Sequence, residues 1–327
     1  MNTAKLIFKL ISGFLLLLLV SCAGVPQTTK GTDLNPQYVS VAQDGTRLAK
    51  YAPTFVIEES SKSFNRIGTP AVRQDKNGNP DVYIDPNQPT IYSMEQKFKN
   101  KDRNFTNLIY RIHFEATPLY HLTAGKNLGL ITVVTLDHND RPLLVTTVHT
   151  CGCYLAIIPT SHLAHQAYPE NWPLNGQDVF GEWLPSLLEF KPSSNSQQKL
   201  VFRIKSETHR VMDLDLLSEN NVIPRVNSVM ATLKPMSALK KLPFGETEIS
   251  FFETDGARKG YVRNSHKPLE RLLMSWWSMD WRIGEDKDLG PKEQTGTTFY
   301  TSLKFWAWAK SDLWNFENFL KYWGWEL

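Results

Sequence analysis

The sequence has few cysteines: three in 327 residues, at positions 22, 151 and 153. Two separated cysteine pairs, which would be a strong zinc signature, are therefore absent. A Gly-x-Ser-x-Gly segment is missing as well, so nothing indicates a serine hydrolase with a nucleophile elbow. The Gly125-Lys126 pair has Tyr120 where a phosphate-binding loop needs its first glycine, which excludes that motif.

The chain also lacks a large excess of charge of either sign. Its formal net charge is +3, and about +1 remains if the N-terminal segment carrying Lys5 and Lys9 is removed. This balance gives no support to a nucleic-acid partner, which would favour a strongly basic surface. A hydrophobic fraction of 41% with 21% charged residues is typical of a folded globular protein, not of a disordered one.

A long hydrophobic run is missing too. The apolar stretch Leu10–Val20 is too short to span a bilayer well, and with Lys5 and Lys9 before it, it matches the core of a signal peptide. The stretch ends in Leu19-Val20-Ser21-Cys22, which resembles the lipobox of bacterial lipoproteins. The resemblance implies cleavage before Cys22, acylation of Cys22, and a membrane partner through this N-terminal lipid anchor.

The residue after Cys22 is Ala23 and not aspartate. By the sorting rule of this family in enteric-type bacteria, that residue implies the outer membrane, with the chain facing the periplasm or exposed at the cell surface. An ordinary cleaved signal peptide, with Cys22 incidental, is the alternative. Because the periplasm is oxidising and lipidation consumes Cys22, Cys151 and Cys153 are left to pair with each other, with a second chain or with a metal.

The hydrophobic pattern divides the chain into four segments. We predict a signal peptide over 1–21, a lipidated N-terminus and flexible tether over 22–50, a β-rich body over 51–225, and a helical, aromatic-rich C-terminal part of the same globule over 226–327. The fold class is α+β: an antiparallel β-rich body with C-terminal helices packed on it.

Strand and helix patterns support this division. Leu108–Glu115 alternates, with Tyr110, Ile112 and Phe114 on one face, and Leu128–Leu136 and Pro142–Ile158 are rich in β-branched residues. The short polar stretch Asp137–Arg141 between the last two predicts a hairpin. Near the C-terminus, Pro268 favours a helix start, and a terminal helix is predicted from the spacing of four apolar residues, Leu313, Phe316, Leu320 and Trp323.

Three residues with thiol or imidazole side chains alternate near the end of this hairpin: His149, Cys151 and Cys153. On a strand they share one face, because successive side chains point to opposite faces. Thiolate sulfur and imidazole nitrogen are ligands preferred by Zn(II) and Cu(I), and His113, His121 or His209 are the candidates for a fourth ligand. On this interpretation the cofactor is Zn or Cu, and on the other interpretations there is none.

A metal site of this kind needs a bend at Gly152. Strand positions two apart are roughly 6.5–7 Å apart, whereas two sulfurs on one zinc lie nearer to about 4 Å. The same bend permits a small disulfide between Cys151 and Cys153, which would be strained and easily reduced. The third interpretation is that both cysteines pack as small hydrophobic groups beside a hydrogen-bonded histidine.

Three stretches of the body, residues 109–114, residues 148–154 and Thr208-His209, resemble a group of uncharacterised bacterial exported proteins with a His-x-Cys-Gly-Cys-Tyr segment. Many members carry a second histidine directly after the tyrosine, where this chain has Leu155. This difference weakens a two-histidine metal site. The resemblance implies no activity, so whether the chain is an enzyme is not assigned.

Two further clusters carry predictions. The acidic residues Asp280, Glu285, Asp286 and Asp288 do not have the spacing of a calcium loop and are predicted to form a solvated turn. Six Trp and Tyr residues crowd the last 22 positions; either the terminal helix docks on the sheet and these rings complete the core, or Trp314, Trp323 and Trp325 bind a partner.

The sequence leads to two hypotheses of different classes. In the first, an outer-membrane lipoprotein acts through a transition-metal or thiol site at His149, Cys151 and Cys153. In the second, a non-catalytic envelope lipoprotein binds an envelope protein through its Trp-rich C-terminal region.

Overall fold

The computed structural model describes residues 36–191, 198–218 and 227–327. Cys22, the lipobox and the predicted signal peptide lie outside these residues. In this part of the chain there are sixteen strands: β1 (Gln37–Val41), β2 (Thr54–Ile57), β3 (Thr69–Gln74), β4 (Pro80–Asp85), β5 (Thr90–Asn100), β6 (Arg103–Thr117), β7 (Gly125–Leu136), β8 (Pro142–His149), β9 (Ala156–Pro159), β10 (Gln177–Val179), β11 (Glu182–Leu184), β12 (Gln198–Ile204), β13 (Val211–Ser218), β14 (Ser228–Pro235), β15 (Leu242–Phe244) and β16 (Thr247–Ile249).

The described residues also include four short α-helices: α1 (Arg47–Tyr51), α2 (Pro268–Ser278), α3 (Lys292–Thr295) and α4 (Phe316–Tyr322). Single 3-10 turns occur at Ser63–Asn65, His165–Ala167, Met236–Lys240, Gly256–Arg258 and Phe305–Ala307. The predicted fold class is confirmed, because a β-rich body carries a few C-terminal helices.

Ten strands form one large sheet in the order β13-β12-β2-β1-β14-β5-β6-β7-β8-β9. Its half from β5 to β9 is an antiparallel meander, and the other half includes three parallel pairs, β1 with β14, β2 with β12, and β5 with β14. The predicted hairpin is confirmed as β7 and β8, with Asp137–Arg141 as the connection. The sheet is therefore mixed, although antiparallel pairing predominates.

Strand β6 shows why both faces of this sheet are covered. Tyr110, Ile112 and Phe114 lie on one face, as predicted, in an apolar cluster whose members come from strands across the whole sheet. The alternate residues Arg111 and His113 are also completely buried, on the opposite face. The sheet curls around the first cluster, while the C-terminal part of the chain covers the second face.

The terminal helix α4 lies in that second apolar cluster. Leu313, Phe316 and Leu320 are each at most 2% exposed, which confirms that the helix docks on the body. The left-handed backbone of Gly324 ends the helix, since glycine adopts a positive φ without steric cost. At the other helix predicted from sequence, Pro268 occupies the first turn of α2.

Two of the predicted segment boundaries are wrong. Strand β1 and helix α1 lie within the predicted tether, and Val39 is fully buried between β2 and β14. Strand β14 lies beyond position 226 but pairs with β1 and β5 inside the large sheet. Both errors arise because short strands with mixed polarity gain their stability from neighbouring strands that are distant in sequence.

The described part of the chain includes no helix long and apolar enough to cross a membrane.

Candidate functional site

Strand β8 ends at His149, and a tight turn follows. The backbone N–H of Gly152 donates to the carbonyl of His149 (2.8 Å), and the N–H of His149 donates to the carbonyl of Cys153 (2.9 Å). The prediction of one continuous strand over 142–158 is therefore wrong at 150–155. The cysteines lie on this turn and not on a strand face, because Gly152 and Tyr154 both have positive φ and reverse the chain.

The surroundings of position 152 also require a glycine. A Cβ atom at this position would lie 2.1 Å from the carbonyl oxygen of Tyr300. Only glycine can occupy this place without displacing the C-terminal part of the chain. The turn and the segment around Tyr300 are thus packed backbone against backbone.

The turn places two free thiols two residues apart. Both cysteines are free, Cys151 is buried and Cys153 is partly exposed. A hydrogen bond from the Cys153 thiol lowers the pKa of Cys151 against the opposing effect of burial, and the positive charge of Lys267 acts in the same direction. That hydrogen bond and burial raise the pKa of Cys153 well above its usual range. The pair therefore loses its first proton readily and holds the second.

Helix α2 and the residue before it supply two charged side chains to this pair. The Sγ atom of Cys153 lies 3.9 Å from Oε1 of Glu270, in the first turn of the helix. Glu270 is 3% exposed, and its Oε2 has no hydrogen-bond partner among the described residues. A Cβ at position 284 would lie 2.2 Å from this Oε2, so Gly284 leaves the space that the carboxylate occupies.

Lys267 directly precedes the helix and is 3% exposed. Its Nζ lies 3.4 Å from Oδ2 of Asp286, and the other oxygen of that carboxylate accepts hydrogen bonds from the Thr150 hydroxyl and the Gly129 N–H. Burial by itself would lower the pKa of Lys267, but the negative charges of Asp286 and Cys151 outweigh it and raise the pKa well above the usual value. The result is a buried ammonium ion next to the thiols.

The backbone of the turn is held by a second lysine. Lys287 is fully buried, and its Nζ donates to the carbonyl of Cys151 (2.6 Å) and lies 4.2 Å from the centre of the Tyr300 ring. The carbonyl of Lys287 in turn accepts a hydrogen bond from Nη1 of Arg111 (2.8 Å). The turn is thereby connected to the centre of strand β6.

The acidic cluster was mispredicted. Far from forming a solvated turn, its members are at most 7% exposed; they are Asp280, Glu285, Asp286 and Asp288. Each has a partner of its own: Tyr300, Arg258, Lys267 and Lys240, respectively. Sequence pattern alone gave no sign of this, because charged residues close together in a Gly-rich stretch usually face water.

The histidines proposed as metal ligands have other partners. Nε2 of His149 lies 3.0 Å from the carbonyl oxygen of His209, and Nε2 of His209 lies 3.0 Å from that of Phe64. A ring nitrogen bonded to a carbonyl carries the proton and is a donor. Burial lowers the pKa of both histidines to about 3, so both are neutral at pH 7.

The other two candidate histidines are also engaged. Nε2 of His113 lies 3.2 Å from Nε of Arg111, and Nε2 of His121 lies 2.9 Å from a carboxylate oxygen of Glu207. Within the described residues, no group of three His, Cys, Asp or Glu side chains is arranged to hold a metal ion. Binding of Zn or Cu at these residues stays a prediction.

The three tryptophans proposed for partner binding are not the most exposed ones. Trp325 is 2% exposed and packs on Trp172 with ring centres 4.8 Å apart, so it belongs to the core and does not present a binding surface. Trp314 packs against the same core, and Trp323 is 36% exposed with its Nε1 donating to Thr301. The most exposed tryptophans are Trp276, Trp277, Trp281, Trp306 and Trp183.

No family model, curated protein or solved structure matches this chain.

Proposed function

We propose that this chain is an exported, lipid-anchored protein of the bacterial outer membrane that exchanges thiols and disulfides through Cys151 and Cys153. The observation that carries the proposal is that two free thiols lie on one tight turn, 3.9 Å from the Glu270 carboxylate of helix α2 at one sulfur, with the buried Lys267 directly before the same helix. The predicted location of the protein is consistent with thiol–disulfide exchange, because disulfides form and persist in the periplasm.

The surroundings favour thiol chemistry over a metal site. A buried lysine ammonium stabilises a thiolate by charge and opposes a second cation at the same place. The ring nitrogens of His149 and His209 that point to carbonyl groups are donors and offer no lone pair there. Among the described residues, the two sulfurs and the Glu270 carboxylate form a group close to one another.

Exchange begins at the sulfur that a substrate can reach. Cys153 is partly exposed and Cys151 is 3% exposed, so an incoming disulfide meets Cys153. In the first step the proton that the pair shares moves from Cys153 to Cys151, and the Cys153 thiolate attacks one substrate sulfur. A mixed disulfide forms on Cys153, and the other substrate sulfur leaves as a thiolate that takes a proton from solvent.

The second step closes the ring between the two cysteines. The Cys151 sulfur attacks the mixed disulfide, the Cys151–Cys153 bond forms, and the second substrate sulfur leaves carrying the proton that the pair had kept. The cysteine pair loses two electrons, and the substrate disulfide gains them as it becomes two thiols. The Glu270 carboxylate, 3.9 Å from Cys153, is placed to pass that proton.

Mass spectrometry of the full-length chain, isolated from membranes, tests the proposal. After reduction and incubation with oxidised glutathione, the wild type should lose the mass of two hydrogens, and Cys151→Ser should instead retain one glutathione on Cys153. The matched control Cys153→Ser should retain far less, because its one remaining thiol is buried.

Two outcomes contradict the proposal. One is a wild-type chain that keeps both thiols under these conditions. The other is a native mass that includes Zn or Cu and loses it in the Cys151→Ser/Cys153→Ser double variant, which would restore the metal hypothesis.

A further inference from the structure

Helix α2 has its polar and apolar faces reversed relative to an ordinary surface helix. Its buried residues are Glu270, Ser275 and Ser278. Its exposed residues include most of its large apolar side chains. A helix packed on a water-soluble body normally buries its apolar stripe and exposes its polar one.

The exposed side chains of α2 and of the residues that follow it form what we call the tryptophan surface. Its members are Leu269 (40% exposed), Leu272 (73%), Leu273 (54%), Trp276 (68%), Trp277 (70%), Met279 (66%) and Trp281 (69%). A contiguous apolar group of this size is uncommon on a monomeric soluble protein and marks a binding surface. Phe305 and Trp306, 51% and 68% exposed, belong to a segment that is tied to this one by the hydrogen bond from Tyr300 to Asp280.

The charges at this surface have one sign. Between positions 264 and 290 all five acidic residues are buried, whereas Arg271 is exposed and Arg282 partly exposed. Lys304, beside Phe305, is exposed as well. Outward cations around Leu and Trp side chains match a bilayer surface with anionic headgroups, which attracts basic residues.

The predicted lipid anchor places a bilayer within reach. Thirteen residues lie between Cys22 and the first described residue, Pro36, and a chain of that length extends at most about 50 Å. A folded body of this size has a radius of gyration of about 19 Å. The anchor therefore permits any face of the body to touch the membrane, and the tryptophan surface decides which one does.

We propose that the tryptophan surface inserts into the interfacial layer of the phospholipid bilayer, as a second membrane contact made by the folded body. The anchor in this argument rests on the proposed function, whereas the surface itself does not. Trp and Leu favour the boundary between headgroups and acyl chains, and the indole ring combines a large apolar area with a polar N–H. Because Glu270 lies on the inner face of the same helix, 3.9 Å from Cys153, docking holds the thiol pair close to the membrane.

Quenching of tryptophan fluorescence by brominated lipids tests this proposal directly. The full-length chain, isolated from membranes, is reconstituted into phosphatidylethanolamine–phosphatidylglycerol vesicles with and without bromine on the acyl chains. We expect the wild type to be quenched, and Trp276→Ser/Trp277→Ser/Trp281→Ser to lose at least half of that quenching. The matched control is Trp183→Ser, which removes a 63%-exposed tryptophan on β11 and should leave quenching unchanged.

Near-ultraviolet circular dichroism establishes that each variant keeps its packing. Wild-type chain that sediments with vesicles but shows no quenching by bromine overturns the proposal and leaves the lipid anchor intact. Equal quenching of wild type and triple variant overturns it as well. So does a dimer in the ultracentrifuge that the triple variant loses while bromine has no effect, since the surface would then bind a second copy.

Failure of the thiol proposal is distinguishable from failure of this one. Cys151→Ser/Cys153→Ser should be quenched as strongly as the wild type, because the cysteines contribute nothing to the outer face of α2. Sedimentation of the Cys22→Ser variant with vesicles measures separately how much membrane binding depends on the lipid anchor.

Discussion

The ammonium of Lys267 lies 3.4 Å from the Asp286 carboxylate, and both side chains are at most 2% exposed. This ion pair joins three parts of the chain, because the same carboxylate also bonds Thr150 at the turn and Gly129 on β7. The start of helix α2, the cysteine turn and the central sheet therefore meet at one buried charge pair. Both the stability of the body and the reactivity of the thiols should depend on it.

Removing one partner of this pair should be costly. Lys267→Gln leaves the Asp286 charge buried without its counterion, which typically destabilises a protein by about 3–5 kcal/mol. Lys267→Gln combined with Asp286→Asn should recover most of that loss, because the neutral pair can still form hydrogen bonds. Urea denaturation of the full-length chain measures both variants, and a double variant no more stable than the single one contradicts the role assigned to the pair.

The single variant Lys267→Gln should slow reaction of the thiols, because it removes a positive charge and leaves the Asp286 charge, which raises the pKa of Cys151. The Lys267 charge contributes to the lowered pKa of Cys151, so its removal should raise that pKa and decrease the thiolate fraction at pH 7. Alkylation of the reduced chain by iodoacetamide at pH 7, followed by mass spectrometry, should be severalfold slower than in the wild type. An unchanged rate would falsify the electrostatic role of Lys267.

Glu270→Gln should act in the opposite direction. The negative charge of Glu270 raises the pKa of both Cys151 and Cys153, so a neutral glutamine should increase the thiolate fraction. Alkylation at pH 7 should then be severalfold faster. The control Glu253→Gln removes a carboxylate that pairs with Arg263 elsewhere and should leave the rate as it is; a slower reaction in Glu270→Gln would instead mean that the carboxylate accepts the thiol proton.

Gly152→Ala should destabilise the protein more than an alanine at another glycine with positive φ, because it adds a steric clash to the backbone strain. The alanine would have a positive φ, +95°, and a Cβ 2.1 Å from the Tyr300 carbonyl oxygen, so we expect a loss of more than about 3 kcal/mol. The matched control is Gly181→Ala, with φ +85° and no atom within 4 Å of the new Cβ. That variant should lose only about 1 kcal/mol. Equal losses in thermal denaturation would mean that the Tyr300 segment moves aside freely.

Acid should destabilise the body through its buried histidines. Burial holds the pKa of His149 and His209 at about 3 in the folded chain, against about 6.5 when unfolded. The unfolded chain therefore binds more protons, and stability that is complete above pH 6.5 falls as the pH decreases towards 3. Each histidine contributes about 1.4 kcal/mol per pH unit within this window.

Urea denaturation at pH 7, 6, 5 and 4 measures this slope. His149→Gln should reduce it by the share of one histidine, whereas the control His138→Gln, at an exposed position of the β7–β8 connection, should not. A wild-type slope near zero between pH 6 and 4 would show that these imidazoles become protonated in the folded chain.

Trp325→Ala should reveal a core role for the last tryptophan. The side chain is 2% exposed and packs on Trp172 and Tyr168, so truncation should cost about 3–5 kcal/mol. Trp276→Ala removes an equally large but 68%-exposed ring and should change stability by no more than about 0.5 kcal/mol. A mild effect of Trp325→Ala in urea denaturation would favour the partner-binding hypothesis that the sequence left open.

The sequence by itself determined the fold class, the β7–β8 hairpin, the start of α2 at Pro268 and the docking of α4. These features depend on local periods and on residues with fixed backbone preferences, such as proline and glycine, which can be recognised without a partner. The bend at Gly152 was also predictable from the sequence, because a glycine between the two cysteines allows the chain to turn there. Export and lipidation of Cys22 remain predictions from the N-terminal pattern.

Only the tertiary structure decided what surrounds the two thiols. Lys267, Glu270 and Asp286 are more than a hundred residues from the turn, and an acidic cluster that resembles a solvated loop becomes a buried one because cations from other segments face it. The reversed helix α2 could not be recognised either, since an apolar stripe looks the same whether it faces a core or the solvent. Periodicity identifies the stripe, but long-range packing chooses the side that it faces.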